Sequence, residues 1–163
     1  MTTESLLTLL DKAENRLLLT TLIDANVELI VIGGTALAHH GLRDLMDVDD
    51  LDLLVNSTTE NSDKIVVALQ SLNVPLTCSS AQLARPAIQV PIKNFRFWAE
   101  LLTPLGDLKF EDIEADSITI YVEGRLVHVA STGHLKIMKQ MAVKQLSETL
   151  KKHETDLRRL NDA

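Results

Sequence analysis

Leucines recur at positions 6, 7, 9, 10, 17, 18, 19 and 22 within residues 4–24, with charged residues in the gap between the two groups. That spacing gathers apolar side chains on one side of a helix. Thr2 or Thr3 is the candidate N-cap, and a break is expected near Asn15. Glu28 to Ile32 is an apolar run of β-formers closed by Gly33-Gly34, which predicts a short buried strand. Thr35 to His40 then reads as a short helix stopped at Gly41. Residues 50–55 alternate, so in a strand Asp50 and Asp52 point one way and Leu51, Leu53 and Val55 the other.

Further along, Asn56-Ser-Thr-Thr reads as a turn with a helix cap, and Asp63 to Leu72 as the helix it opens. Pro75, Pro86 and Pro91 deny residues 75–91 a long helix. A strand over 95–102 would set Phe95, Phe97, Ala99 and Leu101 against Arg96, Trp98, Glu100 and Leu102. After Pro104-Leu-Gly106, residues 117–122 and 125–130 predict a hairpin around Glu123-Gly124. Gly133–Leu146 and Glu148–Leu160 predict two closing helices. With no repeat, low-complexity stretch or linker, residues 1–163 read as a single domain. Its class is α/β (α+β), a small mixed sheet flanked by helices, with C-terminal helices.

Composition narrows the function. Hydrophobic residues make up 45% of the chain and aromatics only 3%, so the core is expected to be aliphatic. A net charge of −7 argues against a dedicated nucleic-acid binder, which would carry a basic field. It leaves room for a local basic patch. One cysteine, Cys78, permits no internal disulfide and fits a reducing compartment. Without a secretory pattern or an apolar run of membrane-spanning length, the expectation is a soluble, cytoplasmic chain with no membrane partner.

The chemistry is concentrated in Val31-Ile-Gly-Gly-Thr-Ala-Leu-Ala-His-His-Gly-Leu-Arg43 and Asp50-Leu-Asp-Leu-Leu-Val55. Gly33 and Gly34 remove Cβ from a turn, so backbone N–H groups can approach phosphate oxygens, and the Thr35 hydroxyl can add a donor. Two carboxylates on one face of a strand suit Mg²⁺, which prefers carboxylate oxygens and substrate phosphates. Glu100, an acid among apolar neighbours, is the candidate third ligand; pairing with Arg96 or a lysine is the other reading. Neither a Walker loop nor G-x-G-x-x-G is present.

These residues, with the closing Leu135…Lys139…Asp156-Leu157…Leu160, resemble the nucleotidyltransferase superfamily with the polymerase-β-like fold. The form Gly-Gly-Thr-Ala…Gly-Leu-Arg is most similar to small bacterial AbiEii-type toxins. The resemblance spans about residues 28–160. It implies that Gly33, Gly34 and Thr35 hold the triphosphate, with Asp50, Asp52 and Glu100 as metal ligands and catalytic residues. Lys139 is similar in position to a lysine that faces nucleotide phosphates. The implied reaction is metal-dependent transfer of NMP from an NTP to a hydroxyl acceptor on an RNA end or a protein, with Mg²⁺ or Mn²⁺ as cofactor. The implied setting is a toxin–antitoxin or phage-defence pair with a cognate antitoxin.

Alternatives remain open. Fifteen residues separate Gly34 from Asp50, slightly more than the usual spacer in this superfamily, and Asp47/Asp49 fits that spacer better. Asp50/Asp52 is preferred because Leu51–Val55 is the more convincing strand. Arg43 can bind phosphate or pair with nearby acids. His39 and His40, adjacent on a helix, point about 100° apart and are read as structural rather than zinc ligands. Two further functions compete: a catalytically lapsed nucleotide- or protein-binding module, and a small-molecule (aminoglycoside-type) nucleotidyltransferase. The leucine-rich N-terminal helix can also pair with a second copy, giving a homo-oligomer.

Overall fold

A computed structural model describes residues 10–93 and 96–162. Thr2, Thr3, Leu6, Leu7, Leu9 and Phe95 lie outside the described residues. The break expected near Asn15 is present: turns over 11–14, with Ala13 at φ 53°, precede helix α1, Asn15–Asp24. Then follow β1 (Leu29–Ile32), α2 (Gly33–His39), a 3₁₀ turn at Leu45–Asp47, and β2 (Leu51–Val55). Helix α3 spans Thr59–Ser71 and the short α4 Ser80–Leu83. The chain continues through β3 (Gln89–Lys93), β4 (Trp98–Leu102), α5 (Phe110–Ala115), β5 (Ile118–Val122) and β6 (Arg125–Val129), and closes with α6 (Thr132–Asn161).

The six strands form one mixed sheet in the order β3-β4-β2-β1-β6-β5. Strands β1 and β2 pair antiparallel, while β2 with β4 and β1 with β6 pair parallel. Leu29–Ile32 is buried throughout, as expected of a central strand. Strand β4 buries Ala99 and Leu101 and turns Trp98, Glu100 and Leu102 outward, the alternation anticipated for it. Leu18, Leu19 and Leu22 of α1 and Ile65, Ala68 and Leu69 of α3 share one aliphatic core with the inward strand residues.

Capping and turn chemistry set the boundaries. The Thr58 hydroxyl accepts from Asn61 N–H and starts α3 four residues earlier than Asp63. Asn61, buried in that first turn, accepts from Glu28 N–H and donates to the Glu28 and Asn56 carbonyls. Glu123 and Gly124 both take positive φ, which a two-residue I′ hairpin turn requires.

Three readings need correction. Strand β3 was not anticipated: residues 75–91 were read only as too proline-rich for a long helix. At the sheet edge the missing N–H of Pro91 breaks no ladder, and Gln89–Lys93 alternates exposed with buried positions. Helix α5 falls where no helix was expected. The two closing helices are one helix of 30 residues, since Ser147 neither caps nor breaks it.

Candidate active site

The end of β1 lies beside Asp52: Ile32 is its register partner, so the chain turns into α2 directly above that carboxylate. Gly33 makes the turn at φ +65°, and a Cβ there would collide with the Asp52 carboxylate. At Gly34 a Cβ would come within 2.6 Å of Arg43 Nη1. Gly33 is therefore required both sterically and by its backbone conformation, whereas a Cβ at Gly34 would only displace the flexible Arg43 tip. Across the sheet, Asp52 sits opposite Glu100 in the parallel β2–β4 ladder. Opposed residues share a face, so the two carboxylates stand side by side.

Burial, then the Glu100 and Asp50 carboxylates, push Asp52 up to about 6; Lys93 and Arg43 pull the other way. Lys93 Nζ lies 2.7 Å from Asp50 Oδ2, and the Asp50 carboxylate holds that ammonium above the usual lysine range. Asp50 and Glu100 thus lie near enough to Asp52 for their charge to act on its carboxyl. Asp47 and Asp49 are exposed on the approach to β2, outside this cluster. Glu100 is not the partner of Arg96, which bonds instead to Glu14 and the Leu72 carbonyl.

Asp52 and Glu100 border a cavity of about 1020 Å³ between the sheet and α6. Gly33, Gly34, Arg43, Asp52, Glu100, Lys136 and Lys139 line it, with Leu37, Leu54, Ile88, Leu102, Leu135 and Met138 among the apolar walls. Arg43 and Lys139 therefore face the same space as the acids, as does Lys136, which sequence reasoning passed over. Lys136 precedes Lys139 by three residues, a spacing that sets both on one side of a helix. Thr35 is a correction. It is fully buried, and its hydroxyl donates to the Asp50 carbonyl at 3.1 Å. Facing inward, it braces α2 against the start of β2 instead of offering a phosphate donor.

Among the described residues no three His, Cys, Asp or Glu side chains converge as a metal site. The donors still suit a hard divalent ion: all are carboxylate oxygens, and Asp52 is crowded by negative charge that a cation would relieve. Lys93 supplies part of that positive charge here, so a metal on Asp50 would share its carboxylate with Lys93 or displace it. His39 is buried in α2 with Nδ1 unpartnered, and His40 Nε2 bonds the Ala130 carbonyl at 2.8 Å, consistent with structural roles. Cys78 is partly buried and its thiol is pushed up by desolvation, the reverse of a reactive thiolate.

Missed by sequence reasoning were Lys93 and Trp98. The alternation of β3 was the available signal for Lys93. The place of Trp98 depends on strand pairing.

No protein-family model and no curated protein matches the sequence. Among solved structures, a Thermotoga maritima protein provisionally named a nucleotidyltransferase superposes with TM-score 0.59 at 16% identity, covering 96% of each chain. ANT(2″)-Ia in complex with adenylyl-2″-tobramycin gives TM-score 0.43 at 17% identity over 80% of this chain and 70% of that one. The first likeness shows that this chain has a nucleotidyltransferase-like fold.

Proposed function

We propose that this chain is a metal-dependent nucleotidyltransferase that moves NMP from an NTP to a hydroxyl acceptor, an RNA end or a protein. The observation that carries the reading is the Gly33–Gly34 turn seated over Asp52, with Glu100 paired to Asp52 across the strands. Gly33 and Gly34 let the backbone approach the triphosphate, and Arg43 and Lys139 meet its charge from the cavity walls. Asp50, Asp52 and Glu100 would hold Mg²⁺ or Mn²⁺. When bound, the ion offsets charge on the phosphoryl oxygens and eases departure of pyrophosphate. Glu100 is the candidate acceptor of the proton released as the attacking oxygen bonds the α-phosphorus. Resemblance of the Gly-Gly-Thr-Ala…Gly-Leu-Arg segment to AbiEii-type toxins supports a toxin–antitoxin or phage-defence setting with a cognate antitoxin.

The test incubates α-labelled NTPs with Mg²⁺ or Mn²⁺ and separated bacterial RNA and protein, for wild type and Asp52→Asn. Label is expected on one class, at least about a hundredfold lower in the variant. Equal labelling by the two proteins would refute the assignment. One observation favours a second reading, a lapsed nucleotide-binding module: Lys93 occupies Asp50 as a built-in cation. That reading predicts NTP binding without turnover on any acceptor.

A further inference from the structure

The chain contains one tryptophan, and it stands beside the acids with the residue 41% exposed. Strand β4 places Trp98, Glu100 and Leu102 on one face, so the indole is about 7 Å along the strand from Glu100. The cavity wall follows this face through Leu102 and ends at Glu100; Trp98 is not part of it. The acids therefore separate two regions, the cavity on one side and the indole on the other.

Trp98 is held firmly at its backbone. Its N–H donates to Asn15 Oδ1 at 2.8 Å, and its carbonyl accepts from Asn15 Nδ2 at 3.0 Å. One ammonium lies over the ring. Lys12 Nζ lies 5.4 Å from its centroid, fixed by donation to the Asp49 carbonyl at 2.7 Å. Lys93, the cross-strand partner of Trp98, sends its ammonium to Asp50 Oδ2 at 2.7 Å. Each ammonium has three donors, so these contacts leave capacity for an anion. A partly exposed indole with a lysine over it suits a nucleobase with its adjacent phosphate.

Building on the nucleotidyl-transfer reading, we propose that Trp98, Lys12 and Lys93 form the subsite for the acceptor, an unpaired terminal nucleotide of an RNA strand. In-line displacement requires the attacking oxygen to enter opposite the departing pyrophosphate. With the triphosphate in the cavity beneath Gly33 and Gly34, the Trp98 side of the acids is where the acceptor's hydroxyl enters. Its base stacks on the indole, and Lys12 and Lys93 take its phosphate.

Because Trp98 is the sole tryptophan, its fluorescence reports on this subsite with no turnover needed. The probe is a single-stranded ten-nucleotide RNA with a free 3′ hydroxyl, titrated into wild-type protein with and without saturating NTP. Saturable quenching is expected in both cases, and weaker quenching by the same strand in a blunt duplex. Trp98→Leu should weaken binding of the end-labelled strand about tenfold, followed by anisotropy, and Lys12→Glu should weaken it similarly. NTP affinity should stay unchanged in both variants.

Quenching by NTP alone would assign the indole to the donor base and overturn the inference. So would an RNA affinity unaffected by Trp98→Leu, or label transfer exclusively to protein. Each of those results leaves nucleotidyl transfer standing. Conversely, quenching by RNA in a protein that transfers no label supports the subsite while the catalytic reading fails.

Discussion

Asp52 shows how one side chain can be costly to the fold and useful to the site. Its carboxyl binds a proton more tightly in the folded chain, pushed from 3.8 to about 6 by burial and by Glu100 and Asp50. Stability without divalent ions should therefore fall as pH rises from about 4 through 6, with the whole cost present above that range. At pH 7.5 in chelator, Asp52→Asn should gain up to about 3 kcal/mol and lose that part of the pH slope. Urea melts across pH 4–8 measure both; a variant with the wild-type slope would contradict the account. Gly33→Ala acts on the same carboxylate from above. A left-handed backbone conformation costs an L-residue about 1–2 kcal/mol, and the added methyl collides with the Asp52 side chain. A loss of at least about 2 kcal/mol is expected in denaturant melts, with weakened NTP binding by calorimetry.

At the scale of elements, the site depends on how strand ends are tied. Asn61, in the first turn of α3, satisfies backbone groups of Glu28 and Asn56, just before β1 and just after β2. Asn61→Ala would remove a partner from the Glu28 N–H and the Asn56 carbonyl, while the Glu28 carbonyl keeps Asn56 N–H, at about 1–3 kcal/mol. The urea midpoint should drop accordingly, and a change below about 0.5 kcal/mol would show that water replaces the side chain. Much at this scale was legible from residue order. The β1 run, the glycine turn, the β4 alternation and the Glu123-Gly124 hairpin all carry their own local chemistry. The misses were equally local. Pro91 breaks an interior strand but is harmless at an edge, and only the strand order puts β3 there. Residues 133–160 carry no strong breaker, so separating them into two helices had little physical basis, and the chain runs through as one.

For the whole molecule, the acids and the cavity link ligand binding to folding. Mg²⁺ that binds only the folded protein should stabilise it by about 2.7 kcal/mol at a hundred times its dissociation constant. For a chain of this size that is roughly 5–10 °C in Tm. Calorimetric scans at pH 7.5 should show the rise in wild type and not in Asp52→Asn; an equal rise in both would place the ion elsewhere. The sequence by itself determined the periodicities, the turn demanded by Gly33, and the shared face of Asp50 and Asp52, since alternation and backbone sterics act over a few residues. Tertiary structure decided that Glu100 stands opposite Asp52, that Lys93 reaches Asp50, that Thr35 faces inward and that Trp98 lies beyond the acids. Those outcomes rest on which strands pair and in what register. Contacts between residues some fifty positions apart set that register, as in Asp52 opposite Glu100, and no local pattern encodes it.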